Sequence, residues 1–69
     1  MISYMDLFKL YRKIDKVFES RPNLGKIKSI VPMRPVGNNQ RYHIRCTYNR
    51  NYIVYVRDGE IFNVGVYIE

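Results

Sequence analysis

The stretch RYHIRCTYNRNYIVYVR at residues 41–57 holds the side chains best suited to chemistry on a phosphate. Histidine exchanges protons near neutral pH, which suits general acid–base work, and His43 is the one histidine of the chain. Arg41 and Arg45 flank it at two-residue spacing, and guanidinium groups stabilise charge that develops on a phosphoryl group. Cleavage of RNA at a 2′-hydroxyl needs a base, such a cationic clamp and an acid for the leaving group. If the chain is a ribonuclease, we expect His43 and Arg45 to be its catalytic residues.

The sequence favours a protein that binds a partner without catalysis over an enzyme. A lone histidine on a surface strand is most often an ordinary surface residue. Cys46 is predicted to face inward as a small buried hydrophobe, not as a nucleophile. The sequence has no phosphate-binding glycine loop, no metal-ligand spacing and no nucleophile elbow. We therefore predict a binding module that uses no cofactor and no metal.

The distribution of charge indicates an anionic partner. Twelve Lys and Arg against six Asp and Glu give a formal net charge of +6. Residues 20–57 include eight of these cations and no acid. Such a field attracts phosphates or acidic protein surfaces and accelerates their encounter. The residues that we predict to bind nucleic acid or an acidic partner are Arg34, Arg41, His43, Arg45, Arg50, Tyr55 and Arg57.

The N-terminal part of the chain predicts an amphipathic helix over residues 4–19. Ser3 can serve as its N-cap, and Asp6 places a carboxylate in the positive first turn. Apolar residues recur at three- and four-residue spacing and form one wide stripe: Tyr4, Leu7, Tyr11, Ile14 and Phe18. Pro22 ends the helix and turns the chain.

The rest of the chain predicts strands. Residues 26–31 form the first strand, and residues 32–40, with two prolines and a glycine, predict a loop. Alternating patterns predict three further strands and two turns: strands 41–48, 52–57 and 61–68, with turns at 49–51 and at Asp58-Gly59. The expected fold class is α+β in a single domain, residues 1–69. One N-terminal helix packs on a three- to four-stranded antiparallel sheet that ends in a meander.

The register of the strands decides which side chains face the helix, because a one-residue slip exchanges the two faces. Arg41, His43 and Arg45 face away from the helix in either register considered. Two-residue turns would direct Ile53 and Tyr55 inward, whereas three-residue turns keep both outside, and the sequence leaves this open. With three-residue turns the core face collects Tyr42, Ile44, Cys46, Tyr48, Tyr52, Val54, Val56, Phe62, Val64, Val66 and Ile68.

Residues 33–67 resemble the RelE/HigB-like toxin superfamily of small ribosome-associated ribonucleases. The resemblance covers about half the chain, with approximate spacing, and its matching residues are Tyr42, Arg45, Tyr48, Tyr52, Val54, Tyr55, Asp58, Gly59 and Ile61. It implies mRNA cleavage, with Arg45 at the position of the family's strand-borne arginine.

Three functions follow from these observations. The leading one is a small basic binding module that engages RNA or DNA through the arginine-rich sheet face and the 32–40 loop. The alternative is a viral or mobile-element inhibitor or adaptor that docks on an acidic host protein, and the third is a RelE-like mRNA endonuclease toxin.

The setting and the oligomeric state are also predicted from the sequence. The longest apolar run has five residues, whereas a membrane span needs about 20. One cysteine excludes an internal disulfide, and no signal peptide opens the chain. We therefore expect a cytoplasmic protein without a membrane partner. The open edges of so small a sheet would allow a homodimer, which the sequence does not specify.

Overall fold

The computed structural model describes the backbone of residues 4–68 and the side chains of residues 6–68. It contains one helix and four strands: α1 (Tyr4–Glu19), β1 (Ile27–Pro32), β2 (Gln40–Cys46), β3 (Asn51–Arg57) and β4 (Glu60–Val66). The strands form one antiparallel sheet in the order β1-β2-β3-β4. Short 3-10 turns follow α1 at Pro22–Leu24 and link β2 to β3 at Thr47–Asn49. The predicted α+β fold, a helix followed by an antiparallel meander, is confirmed.

Helix α1 forms where the apolar spacing predicts it. Leu10, Ile14 and Phe18 recur every four residues and are buried against the sheet, each contributing about 1.5–3 kcal/mol to stability. Asp6 lies in the first turn, where the helix dipole favours a carboxylate. The predicted N-cap Ser3 and the side chain of Tyr4 lie outside the described residues. No helix within residues 4–68 has the length and apolar character that a membrane crossing requires.

The inner face of the sheet supplies the other half of the core. Its buried side chains alternate along two central strands: Tyr42, Ile44, Cys46, Tyr52, Val54 and Val56. Two of its tyrosines meet aromatic rings of α1 edge to face. Tyr42 lies 6.1 Å from Tyr11 and Tyr52 lies 5.6 Å from Phe18, centroid to centroid.

The turn between β2 and β3 lies two residues earlier than predicted. Cys46 N–H donates to the carbonyl of Arg50 at 2.8 Å, and Tyr48 and Asn49 adopt left-handed backbone with φ of 62° and 56°. Tyr48, predicted in the core, is therefore 85% exposed. The two-residue shift preserves the alternation, so Tyr55 stays on the side away from the helix, as three-residue turns would have it.

The turn between β3 and β4 is the predicted Asp58-Gly59 turn, with φ of 53° and 77°. A bulge follows, because Tyr55 opposes Asn63 whereas Val56 opposes Ile61. The extra residue, Phe62, leaves the core side and is 49% exposed, which corrects its predicted burial.

The far end of β4 also departs from the predicted core. Val66 lies opposite Tyr52 on the helix side, but it is 70% exposed, and Ile68 is 84% exposed. Phe18 contacts Tyr52, and Ile61 and Val64 of β4 pack on the core, but the far end of β4 at Val66 and Ile68 stays uncovered. The prediction that both residues are buried is wrong.

Candidate functional site

The side of the sheet opposite α1 is the candidate site, and we call it the outer face. Strand register places on it Ser29, Val31, Arg41, His43, Arg45, Asn51, Ile53, Tyr55, Arg57, Asn63 and Gly65. Ring contacts with Tyr55 and His43 add Phe62 and Tyr67. The prediction that Arg41, His43 and Arg45 share this face is confirmed. Tyr55 lies directly opposite Arg41, and Arg57 ends the same strand.

The outer face carries no acidic side chain among the described residues. Asp6, Asp15 and Glu19 belong to α1, and Asp58 lies in the turn that opens β4. The remaining described acid, Glu60, is paired with Arg57 at the end of the sheet, but its carboxylate is directed to Lys13 of α1, from which it accepts a 2.8 Å hydrogen bond. The outer face therefore presents only neutral and cationic side chains to solvent.

Two arginines of the outer face are oriented by hydrogen bonds to uncharged oxygen atoms. Nε and Nη2 of Arg41 donate to the carbonyl of Arg34 at 3.0 and 2.8 Å. Nε of Arg57 donates to Oδ1 of Asn39 at 3.0 Å. The side chain of Arg45 is exposed, and its guanidinium makes no hydrogen bond or ion pair to the part of the chain that the structure describes. These contacts orient two of the guanidinium groups but neutralise none of them.

The same contacts hold the loop 33–39 beside the outer face. This loop carries Arg34, whose side chain is exposed. Arg50, in contrast, lies at the β2–β3 turn, where its guanidinium donates to the carbonyl of Asn23 and approaches the ring of Tyr48. Of the seven predicted binding residues, the structure thus places five on the outer face and Arg34 in the adjacent loop, and it separates Arg50.

His43 is held by two residues that sequence reasoning missed. Its Nε2 lies 2.9 Å from Oδ1 of Asn51, and its ring stacks on that of Tyr67 with 4.4 Å between centroids. The amide nitrogen of Asn51 donates to the carbonyl of Asn49 at 3.0 Å, so its oxygen is the atom that faces the imidazole. No local pattern signals this cluster, because its members come from three strands.

An aromatic group lies at the opposite end of the outer face. The rings of Tyr55 and Phe62 are 6.1 Å apart, and the guanidinium of Arg57 lies 4.8 Å from the centroid of Phe62. The ring of Tyr55 lies over Gly65, where a Cβ would be 4.0 Å away. Phe62 is half exposed. An exposed ring beside cationic groups can stack on a planar ligand.

Cys46 lies on the inner face and takes no part in this site. It is 2% exposed, and burial raises the pKa of its thiol, which disfavours the nucleophilic thiolate. The predicted inward orientation is confirmed.

A separate groove of about 940 Å³ lies at the C-terminal end of α1. Phe18 and Ile27 are among its apolar lining residues, and Asp15 and Glu19 contribute carboxylates. These acids make it unsuited to anions, so it is chemically distinct from the outer face.

Neither a metal site among the described residues nor a similar known protein indicates the function. Within residues 4–68, no three His, Cys, Asp or Glu side chains come together as a metal site. No protein-family model matches the sequence, and no curated protein or solved structure matches the chain significantly. The function is therefore inferred from the outer face itself.

Proposed function

We propose that this protein binds single-stranded RNA or DNA through the outer face. The observation that carries the proposal is a set of guanidinium groups, Arg41, Arg45 and Arg57, none of them paired with an acid. Guanidinium groups form charge-assisted, often bidentate, hydrogen bonds to phosphate oxygens. The half-exposed ring of Phe62 lies on the same face and offers a stacking surface for an unpaired base.

The layout of the outer face suits an extended strand. Arg41 and Arg45 are four residues apart on β2, which separates their Cα atoms by about 13 Å. Tyr55 lies on β3, which neighbours β2, and Phe62 lies on β4, the strand after β3. A nucleic-acid strand that runs along β2 therefore meets cations under its backbone and aromatic rings to one side, as on other sheet platforms for unpaired bases.

Arg45→Ala is the first test, because this side chain holds no other described residue in place. Fluorescence anisotropy with a labelled single-stranded RNA oligonucleotide should show weaker binding. The magnitude of the slope of log affinity against log salt should fall by about 0.7, the value for one lost phosphate contact. Arg12→Ala removes the same charge from an exposed position on α1 and should change the affinity much less. Affinity that does not vary with salt would contradict the proposal.

Phe62→Ala tests the stacking surface. If a base stacks on this ring, the variant should lose about 1–3 kcal/mol of binding free energy. Phe8→Ala is the matched control, because this phenylalanine of α1 is 58% exposed on the other side of the molecule. Equal losses in both variants would show that the effect is not local to the outer face.

An acidic protein surface is the competing partner for the same arginines. Polyglutamate, added as a competitor at equal charge, distinguishes the two, because it supplies carboxylates but no bases. Displacement of RNA by polyglutamate at equal charge, with no effect of Phe62→Ala, would favour the inhibitor or adaptor function.

A second candidate, the RNA-cleaving toxin, is favoured by the fixed orientation of His43. Asn51 and Tyr67 hold the imidazole on the face that carries Arg41 and Arg45. Expression of such a toxin should arrest growth, and His43→Ala or Arg45→Ala should relieve the arrest. If expression does not slow growth and bound RNA stays intact, the toxin function is excluded and the binding module is the function that remains.

A further inference from the structure

Strand β4 forms an open edge of the sheet. It pairs with β3 on one side only, because the strand order ends at β4. Tyr67 N–H donates to the carbonyl of Asn51 at 2.9 Å, and backbone groups alternate in direction along an antiparallel strand. Val64 and Val66 therefore direct their N–H and C=O groups away from β3. These groups form a ready-made template for one more strand.

The other edge of the sheet is protected, whereas β4 is not. On β1, Lys28 is exposed and Pro32 has no N–H to donate, and charge and proline are common protections of edge strands. Residues 61–68, in contrast, contain no charged residue and no proline. The bulge at Phe62 disturbs only the start of β4.

Apolar side chains accompany these free backbone groups. Val66 and Ile68 are 70% and 84% exposed, and Val66 lies on the helix side beyond the cover of α1. An exposed apolar edge of this kind marks an interaction surface or an aggregation site.

We propose that two copies of this chain associate through β4, with residues 64–68 of each pairing antiparallel about a two-fold axis that passes beside Val66. The product is a continuous eight-stranded sheet with both helices on one side. Val66 and Ile68 of the two copies then cover one another. This pairing leaves both outer faces open to solvent and does not depend on what the outer face binds.

The identity of the occupant follows from charge and symmetry. A chain with a net charge of +6 repels a second copy over most of its surface, but an uncharged strand is a segment at which two copies meet without opposing like charges. A two-fold axis also makes the interface self-complementary, since each copy offers the same free donors and acceptors. An arginine-binding or acidic partner, by comparison, would find no charged group on residues 61–68.

Val66→Lys tests this interface in the full-length chain. Sedimentation equilibrium from about 10 µM to about 1 mM should show wild-type protein passing from 8.3 kDa to twice that mass. The variant places a charge opposite its own copy, so its dimer should dissociate at least about tenfold more readily. Val66 is exposed in the single chain, so circular dichroism and the urea midpoint should stay close to those of the wild type. Ile68→Lys provides a second variant if Val66→Lys fails to fold.

Two matched controls locate the interface. Val31→Lys makes the same change on the β1 edge, and Val36→Lys makes it in the loop 33–39, where the valine is 56% exposed. Both should dimerise as the wild type does. Backbone amides of Val64 and Val66 should exchange more slowly with deuterium as the protein concentration rises. A wild-type chain that stays monomeric at 1 mM, a dimer that survives both β4 substitutions, or a dimer lost only in Val31→Lys would each overturn the proposal.

Discussion

Nε2 of His43 lies 2.9 Å from the carboxamide oxygen of Asn51, and the nitrogen of that carboxamide donates to the carbonyl of Asn49. The oxygen can only accept, so Nε2 of the imidazole must carry a proton. We predict that neutral His43 exists as the Nε2–H tautomer, with Nδ1 unprotonated. Nitrogen-15 NMR of the imidazole, recorded above the pH of its protonation, measures this tautomer directly.

Asn51→Ala provides the test of cause, since it removes the acceptor that selects the tautomer. The variant should show a mixture of both tautomers. Asn63→Ala, on the same face but not bonded to the imidazole, should leave the wild-type spectrum unchanged. A predominantly Nδ1–H form in the wild type would show that the carboxamide is oriented the other way.

The left-handed conformation of Tyr48 is a local source of strain. Its φ is 62°, and its ring is 85% exposed, so burial does not compensate the strain. Asparagine tolerates this conformation better than tyrosine, and Tyr48→Asn should raise the free energy of unfolding by about 0.5–1 kcal/mol. Tyr48→Val should lower it by about 1 kcal/mol, because a β-branched residue fits this region poorly. Urea denaturation of the three proteins measures both differences, and changes of the same sign would contradict the explanation.

Gly25 and Gly37 offer a matched pair of glycine substitutions. Gly25 has φ of 95°, and a Cβ there would lie 3.0 Å from Oγ1 of Thr47, the atom that accepts from Lys26 N–H. Gly25→Ala should therefore cost about 1–3 kcal/mol of stability. Gly37 has φ of 59° with open space around it, so Gly37→Ala should cost only about 1 kcal/mol. Thermal or urea unfolding would show the order of the two losses, and the reverse order would refute the close-contact argument.

The stability of the protein should decline in mildly alkaline solution because of Cys46. Burial raises the pKa of its thiol above the ordinary value of 9.0. In the unfolded chain the thiol ionises at that ordinary value, whereas in the folded chain it keeps its proton. The contribution of this thiol to the free energy of unfolding should therefore be constant below about pH 8 and decline above about pH 9, by at most about 1.4 kcal/mol per pH unit.

Urea midpoints at about pH 7.5 and about pH 9.5 measure this decline. Cys46→Ala lowers stability at both values but should remove the part of the decline that the thiol causes. Burial also raises the pKa of Tyr42, from an ordinary value of 10.0, so its contribution begins at higher pH. An equal decline in the wild type and in Cys46→Ala would exclude the thiol as its origin.

Features encoded within a few residues could be predicted from the sequence. The helix α1 follows from the apolar spacing that includes Ile14 and Phe18 and from Pro22 after its end, and the β3–β4 turn follows from Asp58-Gly59. The shared orientation of Arg41, His43 and Arg45 could also be predicted. All three lie on one strand, where they alternate with apolar residues whatever the length of the turn that follows.

Features set by contacts between distant strands could not be predicted. Thr47 N–H donates to the carbonyl of Lys26 at 2.9 Å, and this bond to the segment before β1 helps to place the β2–β3 turn earlier than the asparagines suggest. The bulge at Phe62 depends on how β3 and β4 align. The pattern of apolar and polar residues along β4 does not reveal this alignment. The contacts that Asn51 and Tyr67 make with His43 required the register of three strands.

The loop 33–39 and a bound anion use the same guanidinium groups. An anion that takes both donors of Arg41 must first displace the carbonyl of Arg34, and one that takes Nε of Arg57 must displace Asn39. The binding free energy of such an anion is therefore weaker by the free energy of these loop contacts. An anion that occupies these donors in turn releases the loop. A spectroscopic label at Val36, which is bridged to Asn39 beside the tip of this loop, would report occupancy of a surface that it does not touch.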